Sequence, residues 1–322
     1  MPAVNKGQQV ANAWEAYVGT SPEDVIWDEY SELARLEEGK AFKSFTGGRT
    51  INGAIEYAEN PSVEAITPTQ TLSVNFVDTF DEFEYQWKQY AGTVPMSSFE
   101  MSVNRGENAK FDLQASKLEN LRQSMRSRIN TDIFGAVTGN NMNGLQTLVA
   151  DTPTSGTVGG IDRGSYTFWR NQTTSGTKTT NPFDALRAAM RTIRTACAKG
   201  QGVKFPTRFV TGPATANGYE SLLVANERIN DEKTNAKANA AFGGDAYYFG
   251  KAKVHWDDDC ADSRMYALNN ENLMLAYQAG YWFKGYPAVE PANQLIEVFK
   301  VETQAQLITN NPRHLGVITG IN

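Results

Sequence analysis

From Phe111 to Ile133 the apolar residues return every three or four positions, at Phe111, Ala115, Leu118, Leu121, Met125, Ile129 and Ile133. That spacing is one face of a single helix. No proline or glycine lies between Phe111 and Phe134, so nothing in the run breaks it. The pattern predicts one helix over 108–138, roughly 40 Å long at about 1.5 Å per residue. A fold containing it must be laid out along it, because a small domain is no wider. The opposite face carries Lys117, Glu119, Asn120, Arg122, Gln123 and Arg126, with Arg128 close by. Arg122 and Arg126 lie one turn apart, and such like-charge pairs cost an isolated helix roughly 0.2–0.5 kcal/mol each. This row is either a solvated basic face or a surface that meets acids from elsewhere.

Directly before the helix the period changes to two. Ile51, Ile55 and Tyr57 alternate with polar residues, Leu72, Val74 and Phe76 resume the pattern, and Phe83, Tyr85 and Trp87 alternate with Glu82, Glu84, Gln86 and Lys88. The reading is a long hairpin-like excursion within 47–100. Between Thr50 and Trp87 it holds Glu56, Glu59, Glu64, Asp78, Asp81, Glu82 and Glu84, and no Lys or Arg. A two-stranded ribbon is marginal alone and needs a surface to lie on. Arg122, Arg126 and Arg128 have the right sign for an acidic ribbon. Because the ribbon leads into the helix and points away from it, the expected contact is with a neighbouring copy; pairing within one copy is the alternative. Phe83 and Trp87 are the expected anchors on that neighbour, unless they pack on their own hairpin.

The rest reads as mixed α+β. Residues 1–46 form a helical arm with short amphipathic stripes through Trp14 and Tyr17 and through Tyr30, Leu33 and Leu36, closed by Gly47-Gly48. Residues 138–180 are loop with short strands. Asn181-Pro182 opens a helix whose stripe is Leu186, Met190, Ile193 and Cys197 and which stops at Gly200. Phe205 to Thr211 is a strand, a helix follows Gly212-Pro213 through Val224, and 226–240 is an exposed loop. Strands are expected at Ala246–Phe249, Ala252–Trp256, Arg264–Leu268, Leu273–Tyr277 and Leu295–Phe299. A closing hairpin is expected to turn at Asn310-Asn311-Pro312 and return through Leu315, Val317 and Ile321.

Composition narrows the function. The 322 residues, 40% hydrophobic, suffice for two domains. A net charge of −6 argues against a general nucleic-acid binder, leaving only weak or local contact with DNA. No apolar run approaches 18 residues, so no membrane span is expected, and Met1 to Lys6 lacks the apolar region of a signal peptide. Cys197 and Cys260 fit no zinc or redox spacing, in keeping with a reducing cytoplasm. An enzyme reading has little support: only His255 and His314 exist, no nucleophile motif is present, and Gly156 to Gly160 lacks the strand-before, helix-after setting of a dinucleotide fingerprint. No cofactor is expected. The one metal candidate is Asp257, Asp258 and Asp259, a carboxylate run able to hold a hard cation, although its spacing is not that of a calcium loop and a solvated acidic turn is the plainer reading. A divalent-ion-dependent binding protein or hydrolase centred there is the remote alternative.

The order of elements, with particular segments, resembles the major capsid proteins of tailed bacteriophages. Phe45-Thr46-Gly47-Gly48-Arg49-Thr50-Ile51 is similar to that family's junction of arm and extended loop, and Asp81-Glu82-Phe83-Glu84-Tyr85-Gln86-Trp87-Lys88-Gln89-Tyr90 to the loop's return strand. Gly144-Leu145, Thr157 to Arg163, Trp169-Arg170-Asn171 and Asn310-Asn311-Pro312-Arg313 also resemble phage capsid sequences. The resemblance implies the tailed-phage capsid fold. Its parts would be an N-terminal arm at 1–46, an extended β-hairpin loop at 47–100, and a peripheral domain at 101–181 with its spine helix at 108–138. A mostly axial domain at 182–290 and C-terminal strands at 291–322 returning to the peripheral domain would complete it. It implies self-assembly into hexamers and pentamers of an icosahedral head around double-stranded DNA, built in the host cytoplasm with portal and scaffolding proteins. An encapsulin-like compartment shell is the alternative. Some members weld neighbours through a loop lysine; Thr50 to Trp87 has none, so no such weld is expected. The short arm after Met1 likewise gives no expectation of a fused scaffold.

Overall fold

The computed structural model describes residues 31–38, 41–69, 71, 74, 76–103, 113–176, 182–198, 204–219, 247–291 and 294–321. Most of the expected arm, Phe111, Leu72, Val224 and the 226–240 loop lie outside them.

In chain order come helix α1 (Ser31–Glu38), β1 (Phe42–Phe45), β2 (Thr50–Glu56), β3 (Phe80–Gln86), β4 (Lys88–Ser97), α2 (Ser98–Val103) and α3 (Leu113–Phe134). Then follow α4 (Leu145–Leu148), β5 (Thr157–Val158), β6 (Ile161–Asp162), β7 (Gln172–Ser175), α5 (Pro182–Cys197), β8 (Arg208–Thr211), β9 (Tyr247–Phe249) and β10 (Ala252–Trp256). The last strands are β11 (Arg264–Leu268), β12 (Leu273–Gln278), β13 (Lys284–Val289), β14 (Ile296–Thr309) and β15 (Gly316–Thr319). The expected long helix is α3, and it ends at Phe134 before Gly135, short of residue 138. Its stripe works as the spacing implies where the helix meets the core: Met125, Ile129 and Ile133 are buried, while Ala115 at the other end is exposed.

Two sheets carry the body. In the first, β14 is the central strand. β12 and β13 lie along one side of it, β4 runs antiparallel along the other, and β1 adds in parallel to β12. In the second the order is β7-β15-β11-β8-β10-β9. Its central strands β15, β11 and β8 are covered on both faces, so both sides of each are buried, whereas the outer strands β7, β10 and β9 keep exposed residues. Phe209, Val254, Met265, Ala267 and Ile318 pack under α5, whose Leu186, Met190, Ile193 and Cys197 are buried there. Val210, Tyr266, Leu268 and Val317, one residue out of phase, face the other core with Ile129, Ile133, Phe134 and the first sheet's Leu275 and Leu307.

Sheet membership cuts the chain differently from the expected boundaries. β4, inside the expected 47–100 loop, belongs to the first sheet through ten paired residues with β14. β12 and β13, inside the expected 182–290 unit, also pair with β14. The closing hairpin does not form. β14 stays in the first sheet while β15 enters the second between β7 and β11, so the segment at Asn310-Asn311-Pro312 is a crossing between sheets. Local turn residues do indicate a reversal there. What they cannot indicate is that each flanking strand has better partners elsewhere.

Candidate assembly surface

The ribbon has a seated stem and an unseated tip. In the stem β2 and β3 pair antiparallel from Thr50↔Gln86 to Glu56↔Phe80. Phe83 lies opposite Gly53, and a Cβ at Gly53 would overlap its ring; the glycine lets the ring fold flat over its own partner strand. The Phe83 ring also stacks on Trp169 at 6.0 Å between centroids. Trp169 is held in turn by its indole N–H donating to the Val158 carbonyl at 2.8 Å. The β5–β6 hairpin turns through Gly159 and Gly160, both at positive φ, the geometry that two-residue hairpin turns need. Its Gly159 carbonyl accepts from the Glu84 amide at 2.9 Å. Tyr85 is buried, its hydroxyl donating to the Thr309 carbonyl at 3.1 Å, and burial pushes that phenol well above its usual range.

These contacts correct two expectations. Phe83 is buried and Trp87 half-buried in their own copy, Trp87 edge-on to Phe45 with its N–H donating to Gly48 O at 3.1 Å. Phe83 is therefore satisfied within its own copy, while part of the Trp87 ring stays exposed. The inward-facing alternation that marked them as anchors is the signature of a stem packed on its own body.

The tip, 57–79, is different. Val63 and Val74 are 85% and 92% exposed, Phe76 is fully exposed, and Ile66, Val77 and, at the stem's end, Phe80 are exposed too. Soluble chains leave single apolar side chains in water routinely, whereas six on one segment make this stretch the candidate contact surface. Glu56, Glu59, Glu64, Asp78, Glu82 and Glu84 are exposed around it, with Asp81 half-buried. Among the described residues none of these seven acids forms an ion pair.

The arginine row is partly engaged by its own chain. Arg126 reaches both oxygens of Glu37 on α1, at 2.9 and 2.7 Å, and lies 5.6 Å from the Phe283 ring. Arg128 pairs with Asp132 at 3.3 Å and donates to Asn141. Arg122 pairs with Glu119 at 3.6 Å, both about half exposed. Sequence reasoning missed Glu37, which sits 89 residues from Arg126, beyond the reach of any local pattern.

The aspartate run is a knot of hydrogen bonds. Asp257 is fully buried; its Oδ2 accepts from the Glu32 amide at 3.0 Å and its Oδ1 from Asn130 Nδ2 at 2.9 Å and the Asp259 amide at 3.1 Å. Asp259 accepts from Asn130 and Thr131. Lone pairs aimed at N–H and O–H donors are not aimed at a cation. Among the described residues no group of three or more His, Cys, Asp or Glu is arranged to hold one. Burial pushes the Asp257 carboxyl up, although its donors oppose the rise.

Beside this knot sits a second one. The Glu32 carboxylate, on α1, is completely buried; its Oε1 accepts from Arg208 Nη2 at 2.6 Å and Nε at 3.1 Å, and its Oε2 lies 3.0 Å from His255 Nε2. Arg208 also bonds to Asn270. The Leu33 amide donates to Asn130 at 3.3 Å, and Leu33 and Leu36 lie in the main core. Among the described residues no helix is long and apolar enough to cross a membrane.

No family model and no curated protein matches the sequence. Solved structures do match over almost the whole chain. The capsid asymmetric unit of cyanophage A-1(L) superposes with a TM-score of 0.69 at 16% identity, covering 95% of this chain and 96% of that one. The holo-SrpI encapsulin complex of Synechococcus elongatus gives 0.62 at 10% identity, covering 99% and 96%. The capsid of Myoviridae phage XM1 gives 0.57 at 11% identity, covering 99% and 100%. The chain therefore has the tailed-phage major capsid fold, an α+β architecture that the encapsulin shares.

Proposed function

We propose that the chain is a shell subunit, a major capsid protein that assembles into hexamers and pentamers of an icosahedral phage head around double-stranded DNA. The observation that carries this reading is the ribbon tip: six large exposed apolar side chains, of which Val63, Val74 and Phe76 are at least 85% exposed, in a fold shared with solved capsid and encapsulin structures. Burying each would contribute ~1.5–3 kcal/mol. Six together are of the same order as the ~4–15 kcal/mol lost in bringing two bodies together. One tip alone would hold weakly; a closed symmetric shell reuses the contact at every subunit.

In this reading α3 is the spine helix, β2, β3 and the tip form the extended loop, the first sheet is the peripheral unit and the second sheet with α5 the axial unit. The occupant of the tip is a second copy. The acids of the ribbon face the basic row of that copy, with Arg122 about half exposed and, among the described residues, ion-paired to Glu119 alone at 3.6 Å. Like charges would disfavour misdocking, so the acids supply orientation as much as affinity. Portal and scaffolding proteins would be its partners, the host cytoplasm its place of assembly and the virion its destination. A net charge of −6 suits a wall that packaged DNA slides past; tight binding of duplex DNA by free subunits would contradict that part.

Negative-stain microscopy of the purified chain tests the proposal directly. Closed shells are expected, and a monodisperse compact monomer under all assembly conditions would overturn it. The likeness to the encapsulin supports one second reading, a compartment that encloses protein. Nuclease-resistant DNA inside native particles would favour the head, and enclosed protein without DNA the compartment.

A further inference from the structure

Helix α1 is fastened to three separate parts of the body. Glu32 meets Arg208 on β8 and His255 on β10. The amides of Glu32 and Leu33 are capped by Asp257, just past β10, and by Asn130 on α3. Glu37 is held by Arg126 on α3. Leu33 and Leu36 press into the core behind them. The short helix thus joins the second sheet to the long helix through a buried carboxylate shared by two cationic or titratable side chains.

We propose that α1 is a proton-releasable clasp, seated across the second sheet and the long helix by Glu32 at neutral pH and unseated when His255 takes up a second proton. The geometry shows why that proton is unwelcome. With His255 Nε2 donating to Glu32, Nδ1 carries a lone pair; it is buried and has no hydrogen-bond partner. Protonation would place an N–H there with no acceptor to receive it. The charged groups around the ring are Glu32 and Arg35 from α1 and Arg208 from β8. Asp257 and Asp259, from the turn after β10, are occupied with Asn130 and the α1 amide, and Cys260, also from that turn, is a buried thiol that burial keeps protonated. Arg126 is committed to Glu37.

Burial holds the His255 imidazole below its ordinary 6.5, against the pull of Glu32 and with Arg35 and Arg208 adding to the depression. A base harder to protonate when seated stabilises the seat at high pH, and the seat weakens as pH falls below 6.5. Each pH unit below that value favours the unseated helix by up to about tenfold. For Glu32, burial pushes the carboxyl up, but Arg208 and His255 reverse this and bring it below 4.5. That contribution is present above 4.5 and lost as pH falls further. Both groups therefore act in the same direction, and His255 acts first.

Hydrogen exchange of the full chain, read by mass spectrometry at pH 7.5 and 5.5 and corrected for intrinsic rates, tests the clasp without reference to shell formation. Wild-type amides of Ser31–Glu38 should exchange about tenfold faster at pH 5.5, while those of β12 and β14 hold. His255→Gln, whose amide nitrogen can replace Nε2 but cannot titrate, should change less than twofold. Glu32→Gln should exchange fast at both values. Equal protection of α1 at both pH values in the wild type, or the same tenfold acid gain in His255→Gln, would overturn the proposal. If His255→Gln does not fold, the ring proton resonance of His255, one of only two histidines, decides in the wild type. Release of α1 should track its titration, and release without it counts against the clasp.

Discussion

Helix α1 and the ribbon tip are both projections from the body, and they are satisfied in opposite ways. α1 buries two leucines and a carboxylate against its own copy and leaves little behind to bind. The tip seats Tyr57 on Phe168 at its base but leaves Val63, Val74 and Phe76 exposed beside acids that form no ion pair among the described residues. One segment is part of the subunit's stability; under the proposed assembly the other contributes to stability only once a second copy arrives. Substitutions in the two should therefore separate folding from assembly.

The largest effect on the isolated subunit belongs to the clasp. Arg208→Ala leaves Glu32 buried without its main partner, and breaking a buried pair in this way costs about 3–5 kcal/mol, to be read from the urea midpoint of the purified subunit. At the stem, Phe83→Ala removes the ring stacked on Trp169 and should cost about 3 kcal/mol, with exchange quickening in β2 and β3 before the body. A loss below about 1 kcal/mol would mean that the stem is not seated on its own copy. Replacing Arg122 and Arg126 by Glu removes two partly exposed pairs, worth about 1 kcal/mol or less together. The subunit should fold and shells should fail, and normal particles would remove the ribbon-to-helix contact while leaving the shell reading intact. Smallest on the subunit is Val74→Ser with Phe76→Ser, within about 0.5 kcal/mol, although light scattering should show assembly abolished. Assembly at wild-type rate would break the contrast between the two projections.

Much of this was legible in residue periodicity. The stripe of α3, the alternation at Phe83 and Tyr85, the bounds of α5 at Pro182 and of β10 and β11 all lie where spacing places them, because each depends on neighbours within a few residues. The site was legible in part: the one-sided charge of the ribbon stands out in the sequence, but which of its aromatics face outward does not. Phe83 and Phe76 have the same alternating context, and the first is turned inward by Gly53 opposite it, by Trp169 and by the docked β5–β6 hairpin. The clasp was not legible. Glu32 lies 176 residues from Arg208 and 223 from His255, and the aspartate run read as a metal candidate turned out to cap a helix. Strand partnership was lost for a similar reason, since β14 and β15 look like a hairpin until the sheets claim them separately.

The place of β15 sets an order on biogenesis. It is an interior strand, flanked by β7 and β11, yet a ribosome makes it after every other strand of that sheet. Until it emerges, β7 has no strand to pair with and the floor beneath α5 lacks Ile318. A half-translated chain can thus pair β2 with β3 but can complete neither the second sheet nor the Tyr85 contact to Thr309 that seats the stem.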